Sequence, residues 1–200
     1  MQLLMSPASP FARKCRVAIR ELGLTGAVAE QEVTTTAMAS DPTVVAANPS
    51  GKIPALLRSD AATLYDSRVI TRFLNDHAGG TLYPTTAPWE VLTLEATADA
   101  IMESAVLMTY EVRLRTEKEQ SPAWIAAQWD KIDRTVTALD ARWMGHLAGP
   151  LHIGQIAAAC ALSYLDLRHD ARGWRNNRPA LAQWHADFGQ RDSMQATQPT

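Results

Sequence analysis

Asn48-Pro49-Ser50-Gly51-Lys52-Ile53-Pro54-Ala55-Leu56 divides the first half of the chain. Asn48 to Gly51 is rich in turn formers. A proline then stands directly ahead of an apolar run. Proline has no N–H to give a sheet, so it belongs at a strand's first residue, and a cis Ile53–Pro54 bond is expected to be a specific device there. Ile53 to Leu57 and Ala62 to Tyr65 read as paired strands, with Ser59-Asp60 at the turn. Asp66 or Ser67 then caps a helix whose apolar stripe is Ile70, Phe73, Leu74 and His77.

Working back toward the N-terminus, a short helix is expected over Pro42 to Ala47 and a strand over residues 27–33. Before them, Ser9 and Pro10 open a helix. Serine is a good N-cap, and proline suits the first helical position because its missing N–H would be unpaired there anyway. Phe11, Cys15, Ala18, Ile19 and Leu22 recur at helical spacing and should face the core. Arg13, Lys14, Arg16 and Arg20 fall largely on the other faces. Gly23 ends the helix as a left-handed cap. Gln2 to Met5 is a short apolar strand, so the order is β-α-β-α-β-β-α.

Beyond Gly79-Gly80-Thr81-Leu82-Tyr83-Pro84 the chain reads as helix almost throughout, and all its tryptophans lie there. Long helical patterns cover 88–118 and 122–147, and Gly149-Pro150 breaks the second. A third runs from Gly154 to His169; its all-round apolar start marks the buried helix of a bundle. A last helix follows Pro179, and the polar tail after Asp192 is expected to be irregular. The expected domains are residues 1–78, a linker at 79–87, and an all-helical domain at 88–200.

The 200 residues carry a formal charge of -2. That argues against a nucleic-acid partner, which calls for a strongly basic face. No apolar run approaches the ~20 residues that span a bilayer. The first residues lack a basic stretch followed by an apolar one, so no signal peptide is expected and the expected location is cytoplasmic. Cys15 and Cys160 are isolated and the five histidines do not cluster at zinc-like spacing, so no metal is expected.

Three short segments carry chemistry. Ser9-Pro10-Phe11-Ala12 places a hydroxyl at a helix start, where unpaired N–H groups favour negative charge. A thiolate docked there would gain that field and a hydrogen bond, which lowers a thiol pKa. A cis proline at Pro54 can turn the backbone of Ile53 outward, to pair with an extended peptide as another strand would. Asp66-Ser67 offers a carboxylate for an ammonium, and a hydroxyl with helix-start N–H groups for a carboxylate. An α-amino acid head carries both charges. Each segment also has a plain structural reading, as a cap or a strand-leading proline.

In this order and spacing the segments resemble the glutathione transferase family. The resemblance covers nearly all of residues 1–78. It extends through Ile153-Gly154-Gln155-Ile156-Ala157-Ala158-Ala159 and Arg178-Pro179-Ala180-Leu181 in the second half. It implies an α/β plus all-α fold, with a thioredoxin-like N-terminal domain followed by a helical bundle. It implies Ser9 as the catalytic residue that holds the glutathione thiolate. Phe11 joins the glutathione site, Ile53 pairs with the cysteinyl backbone beside cis Pro54, Lys52 reaches the glycine carboxylate, and Asp66 and Ser67 hold the γ-glutamyl head. Glutathione is then a co-substrate, no cofactor is needed, and a homodimer is expected.

The Ser9 setting is similar to bacterial serine-type members. It is also similar to omega-type members, with serine for cysteine, which favours conjugation over thiol–disulfide chemistry because a hydroxyl cannot form a mixed disulfide. The acceptor is expected to be an electrophilic, largely apolar compound. Its pocket is expected to use Met108, Tyr110 and Arg113 of the second half, where Tyr110 or Arg113 could polarise the electrophile. Two alternatives remain on the same scaffold: a non-catalytic glutathione-binding or regulatory protein, and a glutathione-dependent isomerase, peroxidase or dehalogenase. The family commonly has Glu at the Asp66 position. It usually opens its central helix with Ser or Thr and places Asp three residues on, where this chain has His152 and Gln155.

Overall fold

The computed structural model describes residues 1–199. They form two compact units. Met1–Thr85 and the segment from Asp192 on make the first, and Thr86–Arg191 the second.

The first unit holds a four-stranded sheet, β1 (Gln2–Met5), β2 (Ala29–Glu32), β3 (Ala55–Arg58) and β4 (Ala61–Leu64), in the order β2-β1-β3-β4. β2 runs parallel to β1, while β3 is antiparallel to both β1 and β4. The helices are α1 (Pro10–Glu21), α2 (Pro42–Ala47) and α3 (Ser67–Ala78). This is the expected β-α-β-α-β-β-α order of a thioredoxin-like domain. The strands are shorter than expected: β2 starts at Ala29, and β3 starts at Ala55, after the proline rather than at Ile53.

Packing follows the pleat. On one face Leu3, Met5 and Leu56 meet Ala12, Cys15 and Ile19 of α1 and Ile70 and Leu74 of α3. On the other, Leu4 and Ala55 meet Val44 and Ala47 of α2. Alternate strand residues point to opposite faces, so one apolar run serves both layers. Gly23 is left-handed at φ 68°, and the N–H groups of Gly23 and Leu24 close on Arg20 and Ile19. These are the bonds of a Schellman stop.

The charged side of α1 is not a solvated face. Arg13 and Arg16 are buried and Lys14 is 0% exposed. The tail supplies part of the cover. It is ordered, with α9 (Asp192–Gln195), and Ser193, Met194 and Thr197 are buried. Arg13 Nη2 donates to the Met194 carbonyl at 3.1 Å, and Ser193 Oγ donates to Glu21 Oε1 at 2.5 Å. Glu30 of β2 accepts from Arg16 Nε at 2.7 Å and from Arg20. Burial pushes the Glu30 carboxyl up; the hydrogen bonds and charges of Arg20 and Arg16 outweigh it and leave the group below its ordinary value. His77 is exposed, stacked on Phe73 at 5.7 Å rather than completing the core stripe. The segment after α3 folds back on it, with Asn75 Oδ1 accepting from Leu82 N–H at 2.8 Å.

The second unit is all helix: α4 (Pro88–Leu114), α5 (Pro122–Ala138), α6 (Met144–Leu147), α7 (Ile153–His169) and α8 (Pro179–Phe188). α4 stops four residues before the expected 118. Arg115 is extended, and Glu119 accepts from both the N–H and the hydroxyl of Thr116, a local pairing that competes with helix. The expected helix at 122–147 is interrupted by a wider π turn at Leu139–Trp143. There Asp140 Oδ1 accepts from Leu181 N–H at 3.2 Å and so serves the start of α8. α7 is buried almost all round, as its apolar start implies. A Cβ on Gly154 would lie 3.0 Å from Leu94, so glycine is what lets α7 approach α4 there.

Candidate active site

The strand directions bring the three chemistry-bearing segments together. Leu4 near the end of β1 pairs with Ala55 at the start of β3, so the Ser6–Ser9 loop and Ile53–Pro54 leave the sheet at the same end. Leu64, the last residue of β4, pairs with Leu56, so Tyr65-Asp66-Ser67 leaves there too. β1 and β4 run the same way, and the N-termini of α1 and α3 both follow at that end. Two helix starts therefore direct their unpaired N–H groups and positive dipole ends toward one region.

Ser9 is the N-cap of α1, half-buried, with extended backbone. Its Oγ accepts from Ala12 N–H at 3.2 Å. A hydroxyl has one proton and two lone pairs. The cap occupies a lone pair, so the proton can still be donated to an anion. The structural and chemical readings of Ser9 are thus compatible. Phe11, one residue into α1, is half-buried.

The Ile53–Pro54 bond is cis, as expected from sequence. Ile53 lies outside the ladder, which begins at Ala55. Pro54 is buried, Ile53 half-buried and Lys52 exposed. The approach is held by a residue that the sequence reading passed over as a mere turn former. Asn48 is buried; its Nδ2 donates to the Lys52 carbonyl at 2.9 Å, and its Oδ1 accepts from Ser50 N–H and Ser50 Oγ. An Asn-Pro-Ser-Gly string is the signal of such a side-chain-stabilised turn. Gly51 is left-handed at φ 67°, and a Cβ there would sit 2.5 Å from Ser40 Oγ.

At the third segment Asp66, not Ser67, is the cap of α3, accepting from Arg68 N–H at 3.0 Å. Its carboxylate is about 60% exposed and faces Arg68 Nη2 at 3.6 Å, an exposed pair of small energy that a ligand ammonium can displace. Ser67, the first residue of α3, is 2% exposed. Its carbonyl accepts from Thr71 Oγ1 at 2.9 Å and from the Cys15 thiol at 3.8 Å, which ties α3 to α1. The Tyr65–Asp66 peptide is also cis, and no proline marks it in the sequence.

The residues expected at the acceptor pocket separate. Met108 is 2% exposed and continues the buried α4 stripe of Leu94, Ala98, Ile101 and Ala105, which makes it a core residue. Tyr110 is half-buried and Arg113 exposed, on other faces of the helix. No cluster of three potential metal ligands occurs among the described residues, and none of their helices is long and apolar enough to cross a membrane.

Residues 8–77 match the family model described as "Glutathione S-transferase, N-terminal domain", and residues 122–187 match "Glutathione S-transferase, C-terminal domain". A glutathione transferase family member from Pseudomonas fluorescens Pf-5, solved with bound glutathione, is 42% identical; the match covers 100% of this chain and 98% of that one at a TM-score of 0.97. A structure of a Pf-5 family member with bound S-(propanoic acid)-glutathione matches at 40% identity, full coverage of both chains and a TM-score of 0.92. A glutathione S-transferase from Methylobacillus flagellatus KT, with glutathione bound, is 34% identical over 100% of this chain and 99% of that one, at a TM-score of 0.86. With its sheet, its helical unit and identity of this level along its whole length, the chain belongs to the glutathione transferase family.

Proposed function

We propose that this chain is a glutathione transferase of serine type, in which Ser9 holds the glutathione sulfur as a thiolate for attack on an electrophilic carbon. The observation that carries the reading is the meeting of Ser9, Ile53–Pro54 and Asp66–Ser67 at one end of one sheet. Relatives at 42% and 40% identity hold glutathione and a glutathione S-conjugate, which supports both the ligand and the chemistry.

The tripeptide lies extended across that end. Its cysteinyl backbone pairs with Ile53 in the manner of an added strand. Its γ-glutamyl ammonium meets Asp66, and the adjoining carboxylate meets the start of α3 at Ser67. Lys52 takes the glycine carboxylate, and Phe11 packs against the ligand. The thiol sulfur reaches the start of α1. There the Ser9 O–H donates to it, and the helix field favours the anion, so the thiol loses its proton to solvent near neutral pH. The thiolate forms a carbon–sulfur bond as the leaving group departs with its electron pair, or as an activated double bond takes up the charge and then a proton. Holding the nucleophile beside its target supplies most of the acceleration. Tyr110 and Arg113 are the acceptor-side residues of the helical unit; Met108 shapes that region from within the core.

The working molecule is a homodimer in a cytoplasmic setting. Exposed Tyr65 and Val69 at the start of α3 give the first unit an apolar surface for a second copy. The two buried thiols suit a reducing compartment. The test is a crystal structure with glutathione. The sulfur within hydrogen-bond reach of Ser9 Oγ supports the reading, and a sulfur directed away from α1 overturns it.

A further inference from the structure

We propose that Thr35, in the segment between β2 and α2, is a positioning residue for the glycine end of glutathione: its hydroxyl fixes the Gly51 carbonyl and thereby the backbone that carries Lys52. The proposal rests on the glutathione reading above and deepens it, by naming what makes the site prefer the whole tripeptide over a shorter thiol peptide.

The segment leaves the sheet at Val33, whose N–H donates to the Met5 carbonyl at 2.9 Å. It ends at Asp41, whose carboxylate caps α2 by accepting from Thr43 N–H at 2.7 Å and from Val44 N–H at 3.3 Å. Between these anchors Thr35 is half-buried, while Ala37, Met38 and Ala39 are exposed. Thr35 Oγ1 accepts from Asp41 N–H at 3.2 Å and donates to the Gly51 carbonyl at 3.3 Å. A hydroxyl has one proton and two lone pairs, so it makes both bonds at once. Thr36 closes the outer part of the segment on itself: its N–H donates to the Ala39 carbonyl, and its Oγ1 accepts from Ala39 N–H, each at 3.0 Å. Thr35 thus joins the start of α2 to the Gly51 turn through a single hydroxyl.

That bond falls where the chain has most freedom to lose. Gly51 takes its left-handed φ of 67° because it has no Cβ, and the same lack leaves its backbone the least restrained of the approach. The next carbonyl, that of Lys52, is held from within the turn by Asn48 Nδ2 at 2.9 Å. Two successive carbonyls are therefore drawn toward the protein by two different side chains. Lys52 is exposed, so the place from which its side chain reaches out is set by this backbone. Ile53 is steadied from its other side, by the ladder that begins two residues on at Ala55. Loss of the Thr35 bond accordingly shifts Gly51 and Lys52 before it shifts Ile53. Of the three parts of glutathione, the glycine meets Lys52 and takes most of that shift.

The test is calorimetric titration of glutathione, and of γ-glutamylcysteine, which lacks the glycine, into the wild type, Thr35→Val and Thr35→Ser. Valine keeps the shape and removes the hydroxyl; serine keeps the hydroxyl. Thr35→Val is expected to weaken glutathione about fivefold, the worth of one neutral hydrogen bond, and to leave γ-glutamylcysteine nearly unchanged. Thr35→Ser is expected to restore the wild-type ratio of the two dissociation constants. A general loosening of the unit would weaken both peptides alike, so the ratio separates positioning from stability. Thr35→Ala removes the same hydroxyl without a branched side chain and serves where the valine variant does not fold. A ratio unchanged in the hydroxyl-free variants overturns the proposal and leaves the glutathione reading standing. A wild type that binds neither peptide overturns the glutathione reading, and this role with it.

Discussion

Ser9 Oγ lies 3.2 Å from the backbone nitrogen of Ala12 and accepts its N–H, so one hydroxyl closes the start of α1 while keeping its proton for a ligand. The two roles can be separated by substitution. Ser9→Ala removes both: stability falls by about 1 kcal/mol from the lost cap, and conjugation slows by about ten- to a hundredfold as the bound thiol loses a charge-assisted bond. Ser9→Asp keeps a capping oxygen but offers no donor at neutral pH and repels the thiolate. It should melt near the wild-type temperature and still lose turnover, with the bound thiol pKa raised when followed by thiolate absorbance. An unshifted thiol pKa in both variants would remove Ser9 from the mechanism.

Gly51 controls the path into Ile53. Its φ of 67° costs about 1–2 kcal/mol for an L side chain, and the added Cβ would press on Ser40 Oγ at 2.5 Å. Gly51→Ala is therefore expected to destabilise the protein and, on the proposed reading in which the displaced segment binds the peptide and not the reacting carbon, to raise KM for glutathione more than it lowers kcat. Ser40→Gly in the same chain relieves the contact and leaves the backbone cost. Partial recovery of KM in the double variant, measured against varied glutathione, is the expected result.

The tail shows where sequence reading stops. Residues after Asp192 read as an irregular end because they are polar, and Arg13, Lys14 and Arg16 read only as residues off the core face of α1. The two polar surfaces cover one another, through Arg13 to the Met194 carbonyl and Ser193 to Glu21. Hydrophobic period cannot show this, since it finds apolar faces and the pairing here is polar and spans most of the chain. The cis Tyr65–Asp66 bond and the π turn at Leu139–Trp143 are equally silent, having no proline or glycine to mark them. By contrast, the element order, the Ser9 cap, a cap at Asp66 or Ser67, the Gly23 stop and the cis Pro54 are legible, because each rests on a local rule of backbone geometry. The burial of Met108 is not legible either, because helical position alone does not say which stripe of α4 is buried.

Removing the residues after Arg191 is expected to cost about 2–3 kcal/mol, from the lost burial of Met194 and two hydrogen bonds. Ser193→Ala, which removes the bond to Glu21 alone, should cost about 1 kcal/mol. Urea unfolding of the three proteins checks the order. A truncated protein as stable as the full chain would show that the tail rests on α1 without holding it.

Acid should weaken the protein in two stages with different owners. Burial, then the charge of neighbouring His146, holds His152 below its ordinary value; burial, then the charges of Arg172 and Arg168, does the same for His169. The folded state keeps both rings neutral while the unfolded chain takes up protons below about pH 6.5. Their contribution is thus complete above that pH and declines as pH falls toward the folded-state values, by at most about 1.4 kcal/mol per pH unit for each ring. Glu30, lowered by Arg20 and Arg16 against its burial, adds stability that is present above the ordinary carboxylate range and lost as pH falls through its folded value. Melting temperature against pH should therefore bend first near neutrality and again in acid, and Glu30→Gln should remove only the second bend.

His152 also offers a way to raise stability. Gln155 already accepts the His152 N–H at 2.8 Å, and the His152 ring faces the Gln155 N–H as the other half of a capping box; that N–H is shared with the His152 carbonyl at 3.1 Å, however, and the buried ring Nδ1 makes no hydrogen bond of good geometry. Serine at this position places a compact acceptor over the first turn of α7 and completes the reciprocal cap. The gain of about 1 kcal/mol from a proper N-cap, with the orphaned nitrogen removed, opposes the lost packing of one imidazole. The expected net effect of His152→Ser is a rise in melting temperature of about 2–4 °C. It should also weaken the bend near neutrality, because one of the two neutral rings is gone. A lower melting temperature with that bend intact would show that the ring's packing outweighs the missing cap and that His169 alone sets the response near neutral pH.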